Sequence, residues 1–433
     1  MKLNKLKILK ITLIVVGLIA LVLAVYYLPP VHNRVSWRVN NLRTEIRHFF
    51  NPPGEHVFTP GQQSEMDVFS RYTQTAEAFQ PTDIIMPTEV IVPTKTITAT
   101  LAPTPTQIPE SVKLSGVVHE YQSMNNCGPA TLSMGLSFWD WQGTQRDTQP
   151  ILRPHPEDRN VMPYEMVNYV RSQTDLDALQ RWGGDIDLLK RLVAAGFPVI
   201  IERDMRDVRP NENWTGHYGV VTGYDDARSL MILQDSFIMA DYPLQYDDLT
   251  RFWRAFNYVF VVIFPPDREA EVLSALGPHA DADYNLNHAA QKAQQDIAVL
   301  SGIEQFFAWF NYGTSLVNLG DYFNAAAAYD HTYEVLYPSI PVDARPWRML
   351  WYQTGPYFAY YHTGRYQDVI NLANLTLNTS GVTELEETWV WRGRARLALG
   401  NVEGAIEDFL TALTYHPGWP VAEAELRARG IEP

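Results

Sequence analysis

Apolar residues run without a charge from Ile11 to Leu28, and lysines precede them. This length is just sufficient to cross the hydrocarbon core of a bilayer as a helix. Because basic residues favour the cytoplasmic side, we predict a cytoplasmic basic tail over residues 1–10 and a single transmembrane helix over 11–28. The chain would then be single-pass in the cell membrane with its C-terminal bulk extracytoplasmic. A cleavable signal peptide is the alternative, although the run is long for one and no clear cleavage site follows.

The pattern changes over residues 29–110. From Val35 to Phe49, apolar residues recur at helical spacing with arginines beside them, which predicts a juxtamembrane helix on the membrane face or in a stalk. From about Asn51 to Pro109 the chain is polar and rich in proline and threonine. Such a stretch cannot bury enough apolar surface to fold. We therefore expect a linker that holds the following domain away from the bilayer.

Residues 111–266 combine helical and strand periods, with helices first and strands later, which predicts an α+β domain. Asp185 is a predicted N-cap and Gly196 a predicted helix end. The predicted helices are 130–141 and 185–195, and the predicted strands are 198–202, 220–224, 230–234 and 258–264. The polar segment 205–215 is predicted to be a loop at the rim of a cleft.

Residues 280–425 are predicted to be all helical, with three similar turns centred on Gly320, Gly364 and Gly400. Each turn lies between two helical stretches, and Pro338 and Pro417 close the first and third units. These units resemble tetratricopeptide repeats, which stack into a concave surface that suits a protein partner. The alternative is an ordinary helical bundle that packs on the preceding domain.

The chain contains a single cysteine, Cys127, so an internal disulfide is excluded. Gly128 and Pro129 suit a turn into a helix, which would place the thiol at a helix N-terminus. There the helix dipole favours the thiolate, which is the reactive form. A small buried core residue beside Leu132 and Met134 is an equally good interpretation of this segment taken alone.

A cysteine nucleophile needs a base and a group that orients the base. His217 lies three residues before the predicted strand 220–224 and Asp235 directly follows the predicted strand 230–234, and a hairpin can bring the start of its first strand close to the end of its second. The pair is therefore a candidate for both roles. If each residue is considered alone, the simpler interpretations are that His217 is a hydrogen-bonded histidine in the core and that Asp235 is an aspartate in a turn.

At this point the sequence resembles the C39-like cysteine peptidases, which have a papain-like fold. The resemblance rests on Gln122, on Asn126-Cys127-Gly128-Pro129-Ala130, on residues 188–200 and on His217-Tyr218 leading to Gly223-Tyr224-Asp225. It implies that Cys127 is the nucleophile, His217 the general base and acid, Asp235 the residue that orients the imidazole, and Gln122 the oxyanion-hole side chain. Asn125 and Asn126 are further amide donors.

Composition narrows the function. A net charge of −15 provides no basic surface to neutralise phosphates, which argues against a nucleic-acid partner. Residues with the spacing of a metal or nucleotide site are not apparent, so we expect no cofactor. The leading hypothesis is a membrane-anchored cysteine peptidase that cleaves peptides or proteins and binds a partner through its repeats. The alternatives are an inactive papain-like binding protein, and a thiol amidase or acyltransferase that acts on cell-envelope material.

Overall fold

The computed structural model describes residues 53–61, residues 108–433 except 156, 159, 207, 209–213 and 381–382, and a few positions between 10 and 46. Among them no helix combines the length and the apolar character needed to span a bilayer. Most of the predicted anchor, of the predicted juxtamembrane helix and of the predicted linker lies outside the described residues. Contacts divide the chain into Met1–Glu55 and His56–Pro433.

Seven described strands form one antiparallel sheet. The strands are β1 (Ser111–Lys113), β2 (Asp177–Arg181), β3 (Val199–Asp204), β4 (Gly216–Asp225), β5 (Leu230–Asp235), β6 (Met239–Gln245) and β7 (Phe260–Phe264). Their order is β2-β7-β3-β4-β5-β6, and β1 pairs with the far end of β4. The four predicted strands correspond to β3, β4, β5 and β7, and β4 begins four residues earlier than predicted, so that it includes His217.

Helices cover both faces of the sheet. They are α1 (Cys127–Ser137), α2 (Gln145–Leu152), α3 (Pro163–Gln173), α4 (Ile186–Ala194), α5 (Tyr246–Arg254) and α6 (Glu269–Leu276). The alternation of β3 explains this arrangement, since Ile200 packs with α1 and α3 whereas Val199 and Ile201 pack with α4 and α5. As predicted, Asp185 caps α4 by accepting a hydrogen bond from the Leu188 N–H at 2.7 Å.

The rest of the chain is helical. Its elements are α7 (Ala282–Val299), α8 (Gly302–Asn318), α9 (Tyr322–His331), α10 (Tyr337–Ser339), α11 (Met349–Tyr352), α12 (Gly355–His362), α13 (Tyr366–Ser380), α14 (Glu386–Ala398), α15 (Val402–Tyr415) and α16 (Pro420–Arg427), with a π-helical turn over Thr332–Leu336. The three predicted turns join α8 to α9, α12 to α13 and α14 to α15. Each has its glycine at positive φ, between 77° and 86°, a conformation that glycine adopts without strain.

The helical region and the sheet domain share a hydrophobic core. Trp214 is buried and stacks on Phe256, with ring centroids 5.3 Å apart, and it also contacts Phe307 and Tyr352 of the helical region. Trp214 belongs to the segment predicted as a cleft loop, whose centre lies outside the described residues. Because these aromatic residues belong to one continuous hydrophobic core, the two regions pack as one body over residues 56–433.

Part of the predicted linker is also packed. Phe58 is only 5% exposed and lies in the helical core against Tyr333 and Tyr360. The Gly61 N–H donates to the carboxylate of Asp368 at 3.1 Å. Residues 56–61 therefore differ from the extended spacer that their composition predicts, because one aromatic side chain finds an apolar site on distant helices.

Candidate active site

Cys127 is the first residue of α1 and is half-buried. Asn125 has φ of +53°, which turns the chain into the helix. Gly128 packs so closely that an added Cβ would lie 2.9 Å from the Cβ of Val161, so this position requires glycine. Pro129 occupies the first turn, where its missing N–H costs no helical hydrogen bond. The local sequence thus sets the sulfur at the positive end of the helix.

His217 lies at the start of β4 and is buried. Its Nε2 is 2.9 Å from Oδ1 of Asp235, the last residue of β5, which leaves Nδ1 for the hydrogen bond to the Cys127 thiol. The structure therefore brings together the three residues that the sequence analysis placed on a helix and a hairpin.

The electrostatics of these three groups favour a thiolate beside an imidazolium. Burial alone would raise the pKa of Cys127, but the hydrogen bond and charge of His217 and the backbone amides of Tyr218 and Gly128 bring it below its usual value. Burial likewise opposes the charge on His217, yet Asp235 and Cys127 raise its pKa to about 9. At neutral pH the imidazole therefore carries a proton, and the sulfur beside it is stabilised as the anion.

Asp235 is itself held firmly. It is fully buried, and burial would raise its pKa, but the charges and hydrogen bonds of His217 and Arg203 hold that pKa well below the usual range. Arg203 Nη2 donates to Oδ2 of Asp235 at 3.1 Å. The backbone N–H groups of Phe237 and Ile238 donate to Oδ1, each at 3.0 Å. The carboxylate is therefore fixed in position before any substrate arrives.

Gln122 lies beside the residue that follows Asp235. Its backbone N–H donates to the Ser236 carbonyl, and its Oε1 accepts from the Ser236 hydroxyl, both at 2.9 Å. Its Nε2 has no hydrogen-bond partner in the described part of the chain. Of the two further amide donors, Asn126 is engaged, since its Nδ2 donates to Gln145 Oε1 at 2.7 Å. Asn125 Nδ2 is buried and has no partner among the described residues.

Sequence reasoning missed Arg203 and Glu202. Both continue the apolar strand β3 as buried charged residues, a combination that is unusual outside paired or functional groups. Glu202 is 3% exposed, and its Oε1 has no hydrogen-bond partner among the described residues. Burial raises its pKa well above the usual value, and the nearby Cys127 adds to the effect. The apolar strand β3 ends in three consecutive charged residues, two of which are Glu202 and Arg203. That pattern is the sequence signal that would have drawn attention to both residues.

A cleft of about 300 Å³ lies between the sheet domain and the helical region. Glu202 lines it from the sheet side and Tyr352 from the helical side, and both are close enough to Cys127 for its charge to raise their pKa. Aromatic side chains supply much of the remaining wall: Tyr164, Trp182, Phe256, Tyr322 and Phe358. Both regions therefore shape the cleft, and Cys127 and His217 lie near it without being among the residues that line it.

The part of the chain that carries this site is similar to known proteins. Residues 112–260, about a third of the chain, match the Peptidase_C39 like family. The match supports a papain-like peptidase domain in this part of the chain. Among solved structures, a candidate C39-like peptidase from Bacillus anthracis is similar, with a TM-score of 0.31 and 15% sequence identity over 36% of this chain and 98% of that one. No curated protein matches the chain.

Proposed function

We propose that this protein is a cysteine peptidase that cleaves peptides or proteins with Cys127 as nucleophile, His217 as general base and acid, and Asp235 as the residue that orients the imidazole. The observation that carries the proposal is the hydrogen-bonded series from the Cys127 thiol through His217 to a buried, charge-paired Asp235. A merely structural cysteine has no need of an ionised partner of this kind.

In the proposed reaction the Cys127 sulfur attacks the carbonyl carbon of the scissile amide. The developing oxyanion receives hydrogen bonds from the Cys127 backbone N–H and from the free Nε2 of Gln122. His217 Nδ1 then delivers its proton to the leaving amine, which breaks the C–N bond and leaves an acyl-thioester. Water, deprotonated by the same nitrogen, hydrolyses the thioester and restores the thiol. Throughout, Asp235 keeps Nε2 bonded and Nδ1 directed at the sulfur.

The cleft beside Cys127 supports a preference for a basic substrate side chain. Its walls are largely aromatic, and aromatic faces attract cations. At its base lies the buried carboxyl of Glu202, which pairs with no lysine or arginine among the described residues. A lysine or arginine of the substrate would supply that missing partner and would ionise the carboxyl as it binds. We assign the cleft to a substrate residue near the scissile bond, since Glu202 and Tyr352 of its lining are close enough to Cys127 for the charge of the sulfur to raise their pKa.

The helical region supports a role in substrate binding, because Tyr352 and Phe358 form part of the same cleft. Its three helical pairs with equivalent turns are consistent with tetratricopeptide-like repeats that recruit a protein partner. The apolar run at residues 11–28 supports a membrane tether with the peptidase outside the cytoplasm. Membrane fractionation and protease protection of intact cells would test that tether separately from catalysis.

Peptide hydrolysis by the wild type and by Cys127→Ala tests the proposal. Incubation with a mixed peptide library and mass spectrometry of the products should give cleavage that the alanine variant lacks, with enrichment of lysine or arginine beside the cut. Intact-mass analysis during turnover should reveal an acyl group on the wild type alone. An unreactive wild-type thiol would instead favour a binding protein, and acyl release from cell-envelope amides without peptide cleavage would favour an amidase.

A further inference from the structure

Four carboxyl groups and one imidazole meet where the sheet domain packs on α14 and α15. Asp158 and Glu165 come from the sheet domain, whereas Glu386, Glu387 and His416 come from the helical region. His416 Nδ1 is 2.9 Å from Oε1 of Glu386 and 4.0 Å from Oε1 of Glu165. One donor atom from each of these three residues lies within 4.8 Å of the other two. Residues far apart in sequence therefore converge on one point in the interior.

The carboxyl groups of the cluster are close enough to repel one another when they are ionised. Burial raises the pKa of Asp158, and the charges of Glu386 and Glu165 raise it further. Burial and the charge of Glu386 raise the pKa of Glu165 to about 8. Arg153 opposes this effect at Asp158, and the hydroxyl of Tyr164 faces the same carboxylates. A cation held among these oxygens would remove the repulsion.

One buried carboxyl oxygen near the three donor atoms has no hydrogen bond among the described residues. Asp158 is 2% exposed, and its Oδ2 has no partner among the described residues. Oε2 of Glu165 accepts a hydrogen bond from the Met162 N–H at 2.7 Å, and Oε1 is the atom that lies 4.0 Å from Nδ1 of His416. Buried polar atoms without partners are rare in native proteins and often mark a position that an ion or water occupies.

We propose that Glu165, Glu386 and His416 form a binding site for a divalent transition-metal cation of the Zn²⁺ or Mn²⁺ class, with the buried carboxyl of Asp158 near them. The donor set decides the class, because imidazole suits these metals, whereas Ca²⁺ prefers six to eight oxygens. Ligand atoms around such an ion lie about 3 to 3.5 Å apart, given metal–ligand distances of about 2.1 Å. The separations of 2.9 and 4.0 Å bracket that range, so small side-chain rotations suffice.

The site would join the two regions that form the cleft. Glu165 is in the first turn of α3, directly after Tyr164 of the cleft wall, and Glu386 begins α14. A bound ion would therefore stabilise the packing of the helical region on the sheet domain and hold the cleft in shape. This role is independent of the chemistry at Cys127.

The test measures metal binding in the full chain carrying Cys127→Ala, which removes the thiolate as a competing ligand. After chelator treatment, Zn²⁺ and Mn²⁺ are each titrated by calorimetry, and the melting temperature is recorded with and without metal. We expect one ion per chain and a melting temperature higher by about 5 °C at a hundredfold excess over Kd. Glu386→Gln should weaken binding by about 100-fold or more, whereas Glu384→Gln, a nearby carboxylate outside the cluster, should leave it unchanged.

Absence of saturable binding in the Cys127→Ala chain would overturn the proposal, and so would binding that Glu386→Gln and His416→Gln both leave intact. Binding of Ca²⁺ in preference to Zn²⁺ and Mn²⁺ would overturn the metal class. If Glu386→Gln fails to fold, Glu165→Gln provides the second variant, since Glu165 contributes one of the three donor atoms and its loss should still weaken binding.

Discussion

Replacement of Asp235 by asparagine removes a charge from the active site with little change in shape. The native carboxylate accepts hydrogen bonds from His217, Arg203 and the backbone N–H groups of Phe237 and Ile238. Asparagine keeps one acceptor oxygen but cannot stabilise the imidazolium by its charge. We therefore expect the variant to shift the proton from His217 back to the Cys127 sulfur.

The magnitude follows from the pKa of His217. Burial lowers that pKa, yet the charges around the ring raise it from the ordinary 6.5 to about 9. The difference corresponds to about 3 kcal/mol in favour of the imidazolium. Asp235 is the largest of the favourable contributions, and Cys127 supplies the remainder. Loss of the Asp235 charge should therefore lower the thiolate population at neutral pH on the order of 100-fold.

The assay is the rate of iodoacetamide alkylation of the single cysteine as a function of pH, followed by peptide hydrolysis. The wild type should react rapidly at neutral pH, whereas Asp235→Asn should need a markedly higher pH. Asp241→Asn is the matched control, since Asp241 also pairs with a cation, the exposed Lys113. Asp235→Asn removes the charge that pairs with the buried Arg203, which could destabilise the protein. Circular dichroism therefore checks that the variant is folded. A folded Asp235→Asn with the wild-type pH profile would refute the reasoning.

Three further substitutions have defined outcomes. Gln122→Ala should lower kcat on the order of 100-fold with little change in KM. The control Gln142→Ala, at an exposed glutamine, should leave kcat unchanged. Equal effects of the two substitutions on kcat would exclude Gln122 from the oxyanion hole. Phe58→Ala should lower the free energy of unfolding by about 3 kcal/mol in a denaturant titration, because the Phe58 side chain is only 5% exposed. Val57→Ala is the control, since Val57 is 37% exposed. Equal losses for the two variants would disprove the docking of this segment. Glu202→Gln should reduce the kcat/KM ratio of lysine-containing over leucine-containing peptides by about tenfold or more; an unchanged ratio would show that the cleft does not select basic side chains.

The local part of the site is predictable from sequence. A glycine-proline turn after Cys127 predicts a helix start, and two apolar runs separated by a short polar turn predict a hairpin. His217 and Asp235 occupy the positions that such a hairpin brings together, and in the structure their side chains are within hydrogen-bond distance. These inferences succeed because they depend on neighbours within a few tens of residues.

Other features depend on packing between distant segments, and sequence patterns do not contain them. The edge strands β2 and β6 escaped prediction because charged or polar residues interrupt their apolar alternation. Tyr352 reaches the cleft only because α11 packs against the start of β4, where its hydroxyl lies 3.0 Å from Oγ1 of Thr215. Glu165 and His416 also come together only through the packing of distant segments. Their spacing in the sequence therefore does not form a metal-binding motif. Phe58 docks at a site that exists only after the helices have assembled.

The central claim is that Cys127 rests as a thiolate paired with protonated His217. Because the chain has one cysteine, the ultraviolet absorbance of its thiolate can be titrated directly in the folded protein. We predict ionisation below the usual thiol pKa in the wild type, and a return to an ordinary or higher pKa in His217→Ala, where His217 no longer opposes the effect of burial. A wild-type thiol that ionises only at or above its ordinary pKa, with no change in His217→Ala, would contradict the account.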